Sequence, residues 1–170
     1  MKKFLLTLTV LVASLAANAQ KFALVDMEYI LKNIPAYERA NEQLNQVSKK
    51  WESEVEALLN EAETLYKKYQ SESVFLSDAQ KTKAEEAIMA KEKEASDLKK
   101  KYFGSEGELY KKRQSLMKPI QDDIYNAIKK VADEKGYQTI FDRASSANII
   151  YASPRIDVSN LVLEKLGYSK

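Results

Sequence analysis

The sequence contains no cysteine and no histidine, and it has only four glycines and three prolines. Without cysteine, the chain can form no disulfide and offers no thiol nucleophile. Without histidine, it lacks the side chain best suited to proton transfer near neutral pH, which is also the commonest metal ligand. A Gly-rich phosphate loop and the HExxH spacing are missing as well. We therefore expect no enzymatic activity, no metal site and no cofactor.

Residues 1–19 are predicted to be a signal peptide for export. Lys2 and Lys3 form a positive start, an uncharged and mostly apolar run follows, and Ala17-Asn18-Ala19 is a small-x-small cleavage site. The apolar run is shorter than the roughly 20 residues that a membrane-spanning helix needs. No cysteine follows it for lipoprotein processing. We expect cleavage after Ala19, so that the mature chain begins at Gln20.

The charge balance argues against polyanionic partners. The full chain carries a formal charge of +2, which falls to zero when cleavage removes Lys2 and Lys3. A neutral protein gives no electrostatic reason to bind nucleic acid or an anionic membrane. The basic runs Lys99-Lys100-Lys101 and Lys111-Lys112-Arg113 are better interpreted as solvated helix faces that complement an acidic partner helix. We expect no nucleic-acid partner and no stable membrane insertion after cleavage.

An apolar seam of the coiled-coil type predicts a first long helix. Its residues recur at intervals of three and four over about four heptads, and mostly polar residues lie between them. The seam comprises Tyr37, Ala40, Leu44, Val47, Trp51, Val55, Leu58, Ala62, Leu65 and Tyr69. A helix from Tyr37 to Tyr69 would be about 50 Å long at 1.5 Å per residue. That length is too great for packing inside a compact domain of this size.

The pattern breaks near Val74 and restarts in a second helix. Ser77 is the predicted N-cap of this helix, because Gln80 three residues later completes a capping box. A short turn between two long helices makes them antiparallel. Folding the chain about Val74 places Trp51 opposite Leu98. The sequence therefore predicts an antiparallel coiled-coil hairpin.

Gly104 and Gly107 are predicted to lie inside the second helix, which continues to Gly136. Each glycine costs a helix about 0.5–1 kcal/mol relative to alanine. The cost suggests either a close approach to the facing positions Leu44 and Ala40 or a hinge. Replacing both glycines with alanine would stabilise a hinge helix by up to roughly 1–2 kcal/mol. The same change would create clashes if the glycines mark a close helix contact.

The two ends of the mature chain are predicted to form a small body of short strands and helices. Asp26 and Asp157 are placed as helix N-caps, because aspartate accepts hydrogen bonds from the free amides of a first turn. The predicted elements are strands at 21–25, 137–142 and 148–152 and helices at 27–33 and 158–166.

These predictions divide the chain into a signal peptide (1–19), two body segments (20–35 and 119–170) and a coiled-coil hairpin (36–118). A body this small is marginally stable alone, and its few strands leave open edges. We expect an oligomer in which the bodies complete one another.

Three groups of residues, in this order along the chain, resemble the Skp/OmpH family of periplasmic chaperones. They are Phe22–Met27 with Pro35, then Pro119-Ile120 with Glu134–Tyr137, and then Tyr151–Pro154 with Asp157–Ser159. The resemblance implies an α+β, predominantly helical fold in the periplasm. It implies a homotrimer whose helical arms enclose a cavity for unfolded outer-membrane proteins. It also associates lipopolysaccharide contact with basic arms, and the neutral charge puts that activity in doubt here.

Aromatic residues on the hairpin are the candidate client-binding sites. Phe75 lies in the predicted turn, and Tyr102 and Phe103 are adjacent residues that cannot both face a single partner helix. Ordinary packing or oligomer contacts are the competing interpretation of all three.

The favoured function is an ATP-independent holdase that keeps unfolded outer-membrane proteins from aggregating. The alternative is a structural coiled-coil spacer or adaptor of the envelope, which would need a continuous seam. Binding of an anionic polymer is a third hypothesis, which the neutral charge disfavours.

Overall fold

The computed structural model describes residues 21–145 and 148–168. The predicted signal peptide and the predicted N-terminus at Gln20 lie outside these residues. The elements in chain order are β1 (Phe22–Val25), α1 (Met27–Lys32), α2 (Pro35–Glu72), a 3₁₀ turn (Ser73–Phe75), α3 (Asp78–Phe103), α4 (Glu108–Lys135), β2 (Thr139–Asp142), a second 3₁₀ turn (Pro154–Ile156) and α5 (Ser159–Lys165). The fold is predominantly helical, with a long helical hairpin and a small sheet. Among the described residues, no helix is both long and apolar enough to cross a membrane.

The described chain divides into two compact units. One unit, which we call the body, contains the described residues up to Ile34 and those from Asp123 onward. The other unit, which we call the hairpin, contains Pro35–Asp122.

The body is organised by a two-stranded parallel sheet. β1 pairs with β2 in a register that sets Phe22 beside Thr139 and Val25 beside Asp142. The other edge of β1 carries a single bridge between Leu24 and Asp157. Apolar side chains from both chain ends form the core of the body. They are Ala23, Leu24, Val25, Ile30, Ile34, Ile124, Ala127, Val131, Val158, Val162 and Leu163.

Asp26 joins the end of β1 to the rest of the body. It is the N-cap of α1, and its Oδ1 accepts a hydrogen bond from the Tyr29 amide at 2.8 Å. Its own amide donates to Ser159 Oγ at 2.8 Å. The Arg143 guanidinium contacts Asp26 Oδ2 at 3.0 Å and Asp157 Oδ2 at 3.2 Å. Arg143 therefore links Asp26, which follows β1, with Asp157, which lies between β2 and α5.

Asp142, the last residue of β2, has a pKa below the usual range of aspartate. Burial acts to raise this pKa, but hydrogen bonds to the charged carboxylate outweigh it. The donors are the Ser145 side chain and the amides of Met27, Ala144 and Ser145. Oδ1 lies 3.1 Å from the Met27 nitrogen and 3.0 Å from the Ala144 nitrogen. The ionised carboxylate of Asp142 therefore stabilises the contact between the end of β2 and the first residue of α1.

The final helix begins later than predicted. Val158 is the N-cap residue and α5 starts at Ser159, so the assignment of Asp157 as N-cap is wrong by one position. The backbone of Asp157 is extended because it bridges to Leu24, and the Val158 amide donates to the Leu24 carbonyl at 2.8 Å. The Asp157 carboxylate still accepts from the Ser159 amide at 2.9 Å.

The predicted strand at 148–152 is also wrong. This segment forms no strand, and Ile150 and Tyr151 are 100% and 83% exposed. A strand needs a partner backbone. The described part of the chain places none beside this segment.

The hairpin is antiparallel, as shown by three contacts between α2 and α3. Trp51 stacks on Tyr102, Glu61 pairs with Lys91 at 2.9 Å, and Tyr69 donates a hydrogen bond to Glu85. These pairs place the centre of the turn between Leu76 and Ser77. The predicted fold about Val74, with Trp51 opposite Leu98, is therefore wrong by a few residues. The buried seam residues of α2 and α3 are Ala40, Leu44, Val55, Ala62, Ile88 and Ala95.

Ser77 is the N-cap residue that precedes α3. Gln80 Oε1 accepts from the Ser77 amide at 2.9 Å and from the Ser77 hydroxyl at 3.0 Å. The side chain of Gln80 thus satisfies an amide that the first turn leaves free.

The second arm of the hairpin is not one continuous helix, contrary to the prediction. α3 ends at Phe103, Gly104 has extended backbone angles (φ −60°, ψ 168°), and α4 begins at Glu108. We call residues 104–107 the break. A Cβ added at Gly104 would lie 2.5 Å from the Lys100 carbonyl oxygen, and one at Gly107 would lie 2.7 Å from that of Tyr102. The glycines therefore lie in a tight turn between two helices and not inside one helix.

Candidate functional site

The tip of the hairpin presents two apolar side chains to solvent. Val74 is 85% exposed and Phe75 is 86% exposed, both in the 3₁₀ turn. The polar groups around them are satisfied locally, because Ser71 Oγ donates to the Lys68 carbonyl at 2.9 Å and Ser73 Oγ donates to the Gln70 carbonyl at 3.2 Å. The tip is therefore an apolar surface on a hydrogen-bonded turn.

A cluster of aromatic residues lies at the opposite end of α3, next to the break. The Trp51 and Tyr102 rings are stacked, with centroids 4.6 Å apart and planes 7° apart. Phe103 meets the Tyr102 ring edge-on, with centroids 6.3 Å apart. The Tyr102 hydroxyl donates to Glu54 Oε2 at 2.6 Å. This hydrogen bond is the main cause of a raised Tyr102 pKa, with desolvation and the negative charge of Glu54 adding to it.

The structure does not bring the three predicted client-binding residues together. Phe75 is at the tip, whereas Tyr102 and Phe103 are the last two residues of α3. A 26-residue helix separates them, which corresponds to about 39 Å at 1.5 Å per residue. Phe75 is almost fully exposed, while Tyr102 and Phe103 are partly buried in the aromatic cluster. Gly104 and Gly107, the predicted hinge residues, directly follow that cluster.

Two shallow grooves flank the seam between α2 and α3. One has a volume of about 510 Å³, with Leu58 and Leu98 among its lining residues. The other has a volume of about 460 Å³ and includes Leu65. Charged residues of both signs line each groove, among them Lys93 and Asp97 in the first. The hairpin therefore offers narrow apolar strips between charges of both signs.

Sequence reasoning missed two features of these surfaces. Trp51 was assigned only to the seam, although it is the stacking partner of Tyr102. Ile150 and Tyr151 were assigned to a strand, although they form the most exposed apolar pair of the body. The apolar content of 148–152 marked this segment, but exposure depends on neighbours that the sequence does not show.

A polar cleft of about 340 Å³ lies in the body, beside Tyr29, Arg143 and Asp157. Arg143 contacts two carboxylates there. The Tyr29 hydroxyl donates to Asn160 Oδ1 at 2.9 Å. The polar groups of this cleft are thus engaged with one another, which fits a structural role.

Known proteins resemble this chain over three quarters of its length or more. The family model described as "Outer membrane protein (OmpH-like)" matches residues 21–166. The chain is 28% identical to "Chaperone protein Skp" of Yersinia enterocolitica, over 98% of this chain and 99% of the other. It is also 28% identical to "Chaperone protein Skp" of Photorhabdus laumondii, over 75% of each chain. A crystal structure of a protein from Caulobacter crescentus CB15, described as an OmpH-like outer membrane chaperone, matches with a TM-score of 0.71. That match has 10% identity and covers 89% of this chain and 86% of the other, so it shows a shared fold.

Proposed function

Because the chain belongs to the OmpH-like family, we propose that it is an ATP-independent holdase chaperone of the periplasm. It would bind unfolded outer-membrane proteins between helical arms and prevent their aggregation. The observation that carries this proposal is the match to a chaperone named Skp along 98% of this chain. The match spans the hairpin and the body alike.

The surface of the hairpin is suited to non-covalent binding of an unfolded polypeptide. Large apolar side chains are exposed at intervals along it and are not gathered in one pocket. They are Leu59, Tyr66, Val74, Phe75, Met89 and Tyr110, each between 48% and 86% exposed. Many separate weak contacts suit an unfolded polypeptide, which presents apolar groups at no fixed spacing. Phe75 is the proposed primary contact, because it is the most exposed of these side chains and lies at the tip. Tyr102 and Phe103 are proposed as secondary contacts through their exposed edges.

We propose that the protein works as a homotrimer held together by the body. In the described chain β2 pairs with β1 alone, so its other edge is open. Parallel sheets are usually covered on both faces, and Phe141 on β2 is 48% exposed. The exposed Ile150 and Tyr151 supply apolar surface for neighbouring copies.

The test of the proposed function is aggregation of a denatured outer-membrane protein. Light scattering is followed after dilution from denaturant, with and without the mature chain and without nucleotide. We expect the chain to suppress scattering in proportion to its concentration. Unchanged scattering with a correctly folded chain would instead support the spacer or adaptor alternative.

A pair of variants tests the role of the tip. Phe75→Ser should weaken the suppression of scattering, because it removes the most exposed aromatic ring of the hairpin. Met89→Ser is the matched control, since Met89 is 67% exposed on α3 away from the tip. Equal losses in the two variants would show that client contact is spread evenly along the hairpin.

A further inference from the structure

The two arms of the hairpin differ in continuity. α2 is one helix of 38 residues, whereas the break interrupts the opposite arm. Within the hairpin, close approach of backbones is concentrated between α2 and α3, and α4 makes at most isolated close approaches to α2. The backbones of the two arms therefore approach each other more closely on the tip side of the break than on the other side, where Ala40 and Leu44 of α2 are still buried.

Few backbone hydrogen bonds hold the break. The Gly104 amide donates to the Lys100 carbonyl at 2.9 Å, and the Gly107 amide donates to the Gly104 carbonyl at 2.9 Å. The Gly107 carbonyl accepts from the Lys111 amide at 3.1 Å. Ser105 and Glu106 between them are exposed. Bending of the second arm requires less disruption here than in the middle of α3, where the ladder of backbone hydrogen bonds is continuous.

The cross-arm contacts nearest to the break are made by Trp51, Glu54 and Tyr102. Tyr102 lies two residues before Gly104, and it combines a ring stack on Trp51 with the hydrogen bond to Glu54. Stacking and a charge-assisted hydrogen bond constrain both the position and the rotation of the Tyr102 side chain. This set of contacts therefore lies just on the tip side of the break.

We propose that Trp51, Glu54 and Tyr102 form a clasp that limits how far the hairpin opens. Bending at the break lets α4 move away from α2, so this part of the hairpin behaves as a fork. The clasp keeps the end of α3 on α2 and prevents the separation from spreading toward the tip. This device goes beyond the proposed function, because it acts whether or not a client is bound.

Distances between pairs of spin labels test the clasp. The chain has no native cysteine, so two introduced cysteines carry all of the label. One pair, Gln43→Cys with Lys112→Cys, spans the fork, and another, Glu56→Cys with Lys99→Cys, spans the tip side. All four positions are exposed. Labelled chains are diluted into an excess of unlabelled chains, so that distances between copies do not contribute.

We expect a broad distance distribution across the fork and a narrow one on the tip side. Tyr102→Leu removes the stack on Trp51 and the hydrogen bond to Glu54. The tip-side distance distribution should therefore become broader. The matched control is Tyr110→Leu, because the Tyr110 hydroxyl bonds with Gln114 in the same helix. This control should leave the tip-side distribution unchanged.

The single tryptophan of the chain gives a second measurement. Trp51 emission should shift to the red in Tyr102→Leu, because the indole loses its stacking partner, and should stay unchanged in Tyr110→Leu. Helical content by circular dichroism shows that each variant is folded. Equal widths across the fork and on the tip side would overturn the proposal. An unchanged tip-side width in a folded Tyr102→Leu chain would overturn it as well.

Discussion

Replacing Gly104 and Gly107 with alanine tests whether the break is built on glycine. An alanine Cβ at Gly104 would lie 2.5 Å from the Lys100 carbonyl oxygen. One at Gly107 would lie 2.7 Å from the Tyr102 oxygen and 2.9 Å from the Gly104 nitrogen. All of these neighbours are backbone atoms, so a side-chain rotation cannot relieve the contacts. The backbone itself must shift.

The expected effect of the double change is destabilisation. Overpacking of this kind costs typically about 1–3 kcal/mol at each site, or roughly 2–6 kcal/mol for the pair. For a chain of this length, each kcal/mol lowers Tm by about 2–4 °C. The double variant should therefore melt at least about 4 °C below the parent chain. If the glycines were a hinge inside a continuous helix, the double change would instead raise Tm.

Thermal melting by circular dichroism provides the measurement, at one fixed protein concentration because an oligomer melts in a concentration-dependent way. Ser105→Ala is the matched control, since it changes an exposed residue of the same break without adding a Cβ. We expect its effect to stay within about 0.5 kcal/mol. A higher Tm and more helix in the double variant would refute the reasoning, because the break would then have become a continuous helix.

Three further predictions concern the body and the chain termini. The low pKa of Asp142 provides stability above the unfolded pKa of about 4 that is lost as pH falls through the folded value. Acid should therefore lower the Tm of the parent more steeply than that of Asp142→Asn, and parallel curves would contradict this. Intact mass should show that the exported chain begins at Gln20, and retention of residues 1–19 would disprove export with cleavage. Sedimentation equilibrium should give a trimer that Ile150→Lys with Tyr151→Ser shifts toward monomer, whereas a parent that is monomeric at micromolar concentration would rule the trimer out.

The hairpin could be predicted because its seam is periodic. Ala40, Leu44, Val55 and Ala62 are buried as the three- and four-residue spacing requires. The centre of the turn could not be placed, because α2 continues to Glu72 through polar residues that carry no periodic signal. The pairing of Trp51 with Tyr102 depends on that register. The sequence therefore identified Tyr102 but missed its partner.

The break could not be predicted from helix propensity. A propensity scale gives the cost of glycine within a helix, but it does not say when the chain leaves the helix instead. Gly104 does leave it, with extended backbone angles that bring the Lys100 carbonyl to a place where a Cβ would clash. The segment at 148–152 shows the same limit, since an apolar run specifies a strand only where another backbone is available to pair with it.

The parallel sheet has a consequence for the order in which the molecule folds. The ends of β1 and β2 meet only when residues 115 positions apart, such as Met27 and Asp142, come together. The hairpin instead contains contacts between residues that are close in sequence, such as Tyr69 and Glu85, which are 16 positions apart. Because contacts between distant residues form slowly, we expect the hairpin to assemble before β1 pairs with β2. The last event in folding is then the one that joins the two ends of the chain.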